Sequence, residues 1–229
     1  MKKILIVDNS VVIRDMLKNL FVSESQITIF EANSLREAQE LITNHKFFVV
    51  VSNVVLSDSQ NFELIELLKK ENIATILFSS NIEQVSLNTK YPNIISQVIK
   101  NTNGFKFIHR LVSAMIYCHN EEILLVDDSM SESNHIKTIL QKLFIKVTIV
   151  NNGLEALDEL QKNRKILIIS SYEMPIMDGL ELTKKIRMDE QYSQIPIIIT
   201  TSVNDIHLKT QLYEYGVNDI LIKLILEEE

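Results

Sequence analysis

The stretch Ile4-Leu5-Ile6-Val7-Asp8-Asn9-Ser10 has a similar copy 119 positions later, Ile123-Leu124-Leu125-Val126-Asp127-Asp128-Ser129. This repeat indicates that the chain contains two similarly folded halves. Each copy is an apolar run without polar alternation, which is typical of a strand buried on both faces of a parallel sheet. The run ends at an acidic residue followed closely by a serine. Apolar residues then recur with i, i+3, i+4, i+7 spacing, so each copy predicts a strand followed by a helix that packs on the sheet.

The alternation of strand and helix continues through both halves of the chain. We predict strands at Ile4–Val7, Thr28–Glu31, Phe47–Ser52, Thr75–Ser79, Ile95–Ile99, Ile123–Val126, Lys146–Val150, Ile166–Ser170, Ile197–Thr200 and Asp219–Ile222. We predict helices at Val11–Phe21, Leu35–Asn44, Phe62–Glu71, Ile82–Thr89, Phe105–Tyr117, Glu132–Leu143, Gly153–Lys162, Glu181–Met188 and Ile206–Tyr215. Strict alternation favours parallel strands with right-handed crossovers and helices on both faces.

The expected fold class is therefore α/β, with two (βα)5 domains, each a doubly wound parallel five-stranded sheet. We place the domains at residues 1–119 and 120–229. The second domain stops where its last helix would begin, so we expect that helix to be missing and the chain to be the front portion of a longer regulator.

Composition excludes several classes of protein. The 229 residues are 46% hydrophobic and 23% charged, which is typical of a globular chain and not of a disordered one. The single Cys118 excludes a disulfide framework, and no apolar run approaches the length of a membrane span. The net charge of −7 divides into +1 for residues 1–119 and −8 for residues 120–229, which argues against nucleic-acid binding. We expect a cytoplasmic protein.

Several motifs at the predicted carboxyl ends of the strands carry a family resemblance, and they are clearest in the second half. They are the acidic pair Asp127-Asp128, the loop Met174-Pro175-Ile176-Met177-Asp178-Gly179, the hydroxyl of Thr201, and the segment from Gly216 to Lys223. Together they resemble the receiver (CheY-like) domain of bacterial two-component response regulators, in two tandem copies. The resemblance implies the flavodoxin-like strand order.

The resemblance also implies a chemistry. In receivers an aspartate attacks a phosphoryl donor, and Mg²⁺ held by acidic side chains and a backbone carbonyl neutralises the developing charge. A lysine and a hydroxyl then hold the phosphoryl oxygens. The family motif places the nucleophile three residues before Met174, at Ser171, and at Asn53 in the first half.

Both domains depart from the family at this position, since an Asn amide is not a useful nucleophile and a Ser hydroxyl needs an adjacent base. The switch hydroxyls and lysines remain, at Ser79, Lys100, Thr201 and Lys223. Of the metal-binding carboxylates, the second domain keeps Asp127 and Asp128, and the first keeps only Asp8, beside Asn9. The aromatic switch residue is replaced by Gln97 and Ile220. Each lysine is expected to form an ion pair with the remaining carboxylates.

We therefore interpret the chain as a tandem pseudo-receiver of two-component signalling, which is not an enzyme and acts by protein–protein contact or dimerisation. Its partner is another protein or a second copy, with no membrane or nucleic acid, and phosphorylation by a histidine kinase is not expected. No cofactor is expected. One alternative is that the second domain still binds Mg²⁺ weakly and accepts a phosphoryl group. Another is that the chain is the regulatory part of a diguanylate cyclase, although it contains no Gly-Gly-(Asp/Glu)-Glu-Phe motif.

Overall fold

The structure, a computed structural model, describes residues 1–59, 62–80 and 87–223. It divides into two compact units, Met1–Tyr117 and Cys118–Glu229. The division falls just after the last helix of the first unit. Within the described residues, no helix combines the length and the apolar character that crossing a membrane requires.

The first unit is a five-stranded parallel sheet with the order β2-β1-β3-β4-β5. This is the flavodoxin-like order that the resemblance implies. Its strands are β1 (Lys2–Val7), β2 (Ile27–Ala32), β3 (Val49–Ser52), β4 (Thr75–Ser79) and β5 (Ile94–Ile99). Its described helices are α1 (Val11–Asn19), α2 (Leu35–Asn44), α3 (Glu63–Lys70), α4 (Leu87–Lys90) and α5 (Thr102–Tyr117).

The second unit repeats this topology, with the sheet order β10-β9-β8-β6-β7. Its strands are β6 (Glu122–Val126), β7 (Lys146–Val150), β8 (Leu167–Ser171), β9 (Ile197–Thr201) and β10 (Asp219–Ile222). Its described helices are α6 (Met130–Lys142), α7 (Gly153–Leu160), α8 (Gly179–Met188) and α9 (Ile206–Glu214). The expected absence of a last helix concerns residues 224–229, which lie outside the described part of the chain.

The repeated stretch forms the central strands, β1 and β6. The side chains of Ile4–Val7 are 0% exposed, and those of Ile123–Val126 are at most 2% exposed. Helices on both faces of each sheet account for this burial, which an apolar run without alternation predicts. The sheets therefore confirm the α/β class with two receiver-like units.

Three helices begin earlier than their apolar spacing predicts, and side-chain capping is the reason. The Asn101 side chain accepts a hydrogen bond from Gly104 N, and α5 starts at Thr102 instead of Phe105. Ser129 and Asp178 cap α6 and α8 in the same way. A capping residue satisfies free backbone N–H groups and adds polar residues to the first turn, where hydrophobic periodicity gives no signal.

The described part of the predicted helix Ile82–Thr89 is helical, since α4 covers Leu87–Lys90. Residues 81–86 lie outside the described part of the chain. Elsewhere the predicted and observed ends differ by a residue or two, as is usual at frayed termini.

Candidate functional site

The strand register brings the predicted site residues together at the carboxyl edge of each sheet. Val7 pairs with Ser52 in the first unit, and Val126 pairs with Ser170 in the second. The residues that follow, Asp8 with Asn53 and Asp127 with Ser171, are therefore neighbours at equivalent positions. Open α/β sheets place their ligand sites at this edge.

In the first unit, Asp8 is almost fully buried and both of its carboxylate oxygens are used. The Lys100 ammonium lies 2.6 Å from Oδ2, and the backbone N–H of Ser10 donates to Oδ1 at 2.9 Å. The Arg14 guanidinium donates to the backbone carbonyl of Asp8 at 2.6 Å. The expected ion pair is present, and Arg14 adds a second cation that the sequence analysis missed.

Asn53 occupies the nucleophile position of the first unit with an amide that is committed to the backbone. Its Nδ2 donates to the carbonyl of Val55 at 2.7 Å, and its Oδ1 accepts from the N–H of Val54 at 3.0 Å. The amide thus bridges the first residues of the loop after β3. A group held in this way offers neither a nucleophilic oxygen nor a negative charge.

Side-chain hydrogen bonds also join the loops around this first pocket. The Asn9 amide donates to the carbonyl of Asn33 at 2.8 Å and to the hydroxyl of Ser57 at 2.9 Å. The carboxylate of Asp58 accepts from the backbone N–H groups of Leu35 and Arg36, which lowers its pKa below the ordinary value. Direct hydrogen bonds therefore connect the loops after β1, β2 and β3.

In the second unit, the ammonium group of one lysine contacts three side-chain oxygens. The Lys223 ammonium lies 2.8 Å from Asp127 Oδ2, 2.5 Å from Glu132 Oε2 and 3.1 Å from Ser171 Oγ. Asp127 is 0% exposed, and its other oxygen accepts from the backbone N–H of Ser129. Glu132 was not predicted, although its place in the first helical turn after a serine cap is a readable sequence signal.

The protonation of Lys223 decides what Ser171 can do. Burial by itself would lower the pKa of Lys223, but its hydrogen bonds to Asp127 and Glu132 outweigh that effect, and the net shift is upward. The ammonium is therefore charged at neutral pH and cannot take the proton of the Ser171 hydroxyl. With Lys223 as a donor, Ser171 is bound but not activated.

The backbones of the residues that carry the two switch hydroxyls are hydrogen-bonded to the backbones of the two lysines. The N–H of Lys100 donates to the carbonyl of Ser79 at 2.9 Å, and that of Lys223 donates to the carbonyl of Thr201 at 2.8 Å. The hydroxyl of Thr201 is buried and accepts from the N–H of Val203 at 3.0 Å. The structure thus brings each predicted lysine and hydroxyl to the same edge as the carboxylates.

The donors at these edges do not suit Mg²⁺ as they are arranged. The first pocket offers one carboxylate, Asp8, which is already bound to Lys100. In the second, Asp127 is engaged on both oxygens and the neighbouring Asp128 is exposed. Across residues 1–59, 62–80 and 87–223, no group of three His, Cys, Asp or Glu side chains is placed to hold a metal ion. A hard divalent cation needs several free oxygen ligands.

Comparison with known proteins gives the same architecture. A family model described as the response regulator receiver domain matches residues 4–112 and 123–229. A chemotaxis protein CheY homolog from Campylobacter jejuni is 38% identical over 105 residues, which cover 44% of this chain and 80% of that protein.

This chain matches less than a third of the length of one longer relative. The cyclic di-GMP phosphodiesterase response regulator RpfG from Xanthomonas campestris is 33% identical over 109 residues, which are 47% of this chain but 29% of that protein. A solved structure described as a two-component system response regulator/GGDEF domain protein has a TM-score of 0.87 and 23% identity. It aligns with 98% of this chain and 92% of its own length, which shows that the two chains share a fold.

Proposed function

Because this chain belongs to the response regulator receiver family and carries two receiver domains in tandem, we propose that it is a pseudo-receiver module of two-component signalling. It acts through contacts with a protein partner or a second copy, and not through aspartyl phosphorylation. The module has no catalytic activity of its own and works in the cytoplasm. The family matches account for receiver domains only.

The observation that carries this proposal is the state of the two nucleophile positions. Asn53 is hydrogen-bonded on both ends of its amide to the adjacent loop backbone. Ser171 accepts from a lysine whose pKa is raised, so no base is available there. Neither position offers the carboxylate that phosphoryl transfer to a receiver needs.

A second observation supports a fixed conformation. In an active receiver the lysine and the hydroxyl bind the phosphoryl oxygens. Here Lys100 is already neutralised by Asp8, and Lys223 by Asp127 and Glu132. A lysine that has carboxylate partners gains little from a further anion, so we expect each pocket to hold one arrangement without a phosphoryl group.

The direct test is incubation of the chain with acetyl phosphate and Mg²⁺, followed by intact-mass measurement. We expect no gain of mass. A CheY-like receiver with its aspartate, treated in parallel, is the control that shows the donor is active. A gain equal to one phosphoryl group on this chain would contradict the proposal.

That same gain would favour the first alternative, in which the second unit still binds Mg²⁺ weakly and takes a phosphoryl group. Its support is the retained set of Asp127, Asp128, Thr201 and Lys223. Addition of Mg²⁺ with beryllofluoride tests binding separately from covalent transfer. A rise in thermal stability that disappears in Asp127→Asn would support this alternative.

The second alternative is that these residues regulate a diguanylate cyclase. Its support is the fold shared with a response regulator/GGDEF domain protein over 98% of this chain. The coding sequence downstream of Glu229 decides between a separate module and the front of such a protein. A Gly-Gly-(Asp/Glu)-Glu-Phe domain there would assign the chain to its control region.

Self-association is the contact that is easiest to measure. Exposed apolar side chains lie on the family's usual interaction elements, namely Phe107 on α5, Ile206 on α9 and Leu221 on β10, which are 41%, 70% and 51% exposed. We expect sedimentation velocity to show dimers that dissociate on dilution. A monomer at every concentration would exclude self-association and leave a different protein as the partner.

A further inference from the structure

The amino-terminal edge of the first sheet, opposite the Asp8 pocket, contains a second concave site. It has a volume of about 500 Å³ and lies between the start of β1 and the loop that leads into β3. The side chains that define its character are Lys2, Lys3, His45, Lys46, Phe47 and Phe48. Three lysines and an imidazole thus meet two aromatic rings, and no acidic residue lines the site.

The lysines of this edge pocket have no carboxylate partners. Within the described part of the chain, no Asp or Glu oxygen lies within 4.0 Å of the amino groups of Lys2, Lys3 or Lys46. By contrast, Lys100, Lys165 and Lys223, which also lie at the ends of strands, each pair with a carboxylate.

Aromatic rings, and not acids, hold two of these cations in place. The Lys2 ammonium lies 4.6 Å from the centre of the Phe48 ring. The Lys3 ammonium lies 5.6 Å from the centre of the Phe30 ring and 3.4 Å from His45 Nδ1. Partial burial lowers the pKa of Lys2, because it removes some of the water around the ammonium group.

The second unit provides an internal comparison. Where β1 begins with Lys2 and Lys3, β6 is preceded by Glu121 and begins with Glu122. The neighbouring Lys165 is fully buried and pairs with Glu122 at 2.7 Å and with Glu159 at 3.1 Å. The same edge is therefore neutralised in one unit and left positive in the other, so the receiver fold does not itself require the free lysines.

We propose that this edge pocket of the first unit binds a phosphate-bearing anion of about nucleotide size. Ammonium groups are good donors to phosphate oxygens, and those already stripped of some water gain more from an anion than fully solvated ones do. The volume lies within the range of about 300–1,000 Å³ usual for small-molecule sites and exceeds the space that a bare phosphate fills. The Phe48 ring supplies an apolar wall beside the cations.

The test is isothermal titration of the full chain with ATP and, separately, with inorganic phosphate, both at constant ionic strength. We expect saturable binding of ATP, tighter than that of phosphate. The double substitution Lys2→Gln with Lys46→Gln should weaken ATP binding about tenfold or more, because two cationic donors are lost. Arg164→Gln, which removes an exposed cation at the same edge of the second unit, should leave it unchanged.

The relative affinities for ATP and for inorganic phosphate show whether the site binds a nucleotide or a free phosphate. Equal affinity for ATP and phosphate, with the same loss in the double variant, would assign the site to a free phosphate group and keep the phosphate chemistry. Absence of saturable binding of either probe at millimolar concentration, or equal binding by the double variant, would overturn the proposal. Thermal unfolding of each variant checks that the substitutions have not altered the fold.

Discussion

At the scale of single residues, the two pockets replace the phosphate-accepting aspartate in different ways. Asn53 keeps the shape of an aspartate but turns its Nδ2 toward the carbonyl of Val55. Ser171 is shorter, and Lys223 reaches across to its hydroxyl while Glu132 approaches the lysine from α6. The first pocket is therefore organised by amide hydrogen bonds and the second by an ion-pair network around one ammonium.

The Lys223 network makes a prediction at this scale. Lys223→Met should destabilise the protein by about 3 kcal/mol, because it leaves the buried Asp127 carboxylate without its cation. Urea unfolding at neutral pH measures this. Lys185→Met is the matched control, since Lys185 pairs with Glu181 at 3.7 Å on an exposed helix face, and it should change stability by at most about 0.5 kcal/mol. Equal effects of the two substitutions would show that the network is not a buried pair.

At the scale of elements, the two sheets agree in topology but differ at their amino edges. In the second unit the loop before β8 is anchored to β6 by Lys165, which is 0% exposed and lies between two glutamates. Hydrogen bonds from Lys165 and Thr148 lower the pKa of Glu122, and those from Lys165 and Lys162 lower the pKa of Glu159. In the second unit, ion pairs of Lys165 thus connect β6 and α7. At the same edge of the first unit, the lysines contact aromatic rings instead.

This anchor predicts a pH dependence. A carboxyl group whose pKa is lowered by folding stabilises the protein above its unfolded pKa, and the stabilisation is lost as the pH falls through the lower, folded pKa. We expect the stability of the second unit to decrease below about pH 4.5, the ordinary value for Glu. In Lys165→Met that decrease should be smaller, because the largest cause of both lowered pKa values is removed while Thr148 and Lys162 remain. Urea unfolding midpoints of the natural chain and of Lys165→Met are measured between pH 7 and pH 3. The same decrease of the midpoint with pH in both proteins would show that Lys165 does not lower the pKa values of Glu122 and Glu159.

At the scale of the whole molecule, the tandem repeat explains much of what could be read from the sequence. The central strands were predictable because a buried parallel strand has a recognisable apolar run, and Asp8, Asp127, Lys100 and Lys223 followed from family motifs at strand ends. Arg14 was not predictable, because its side chain reaches the first pocket from a helix turn whose orientation depends on packing. Glu132 was missed, although its position three residues after the Ser129 cap is a sequence signal. The edge pocket was also missed, since its lysines and aromatic rings are brought together only by the pairing of β1 with β3.

Loss of phosphoryl acceptance can be measured as intact mass after exposure to acetyl phosphate and Mg²⁺, on the natural chain and on Ser171→Asp. We predict that the natural chain keeps its mass. The variant, which regains the missing carboxylate beside Asp127, Asp128, Thr201 and Lys223, should gain the mass of one phosphoryl group. A gain of one phosphoryl group on the natural chain would contradict this prediction, because it would show that the chain accepts a phosphoryl group without the family's aspartate.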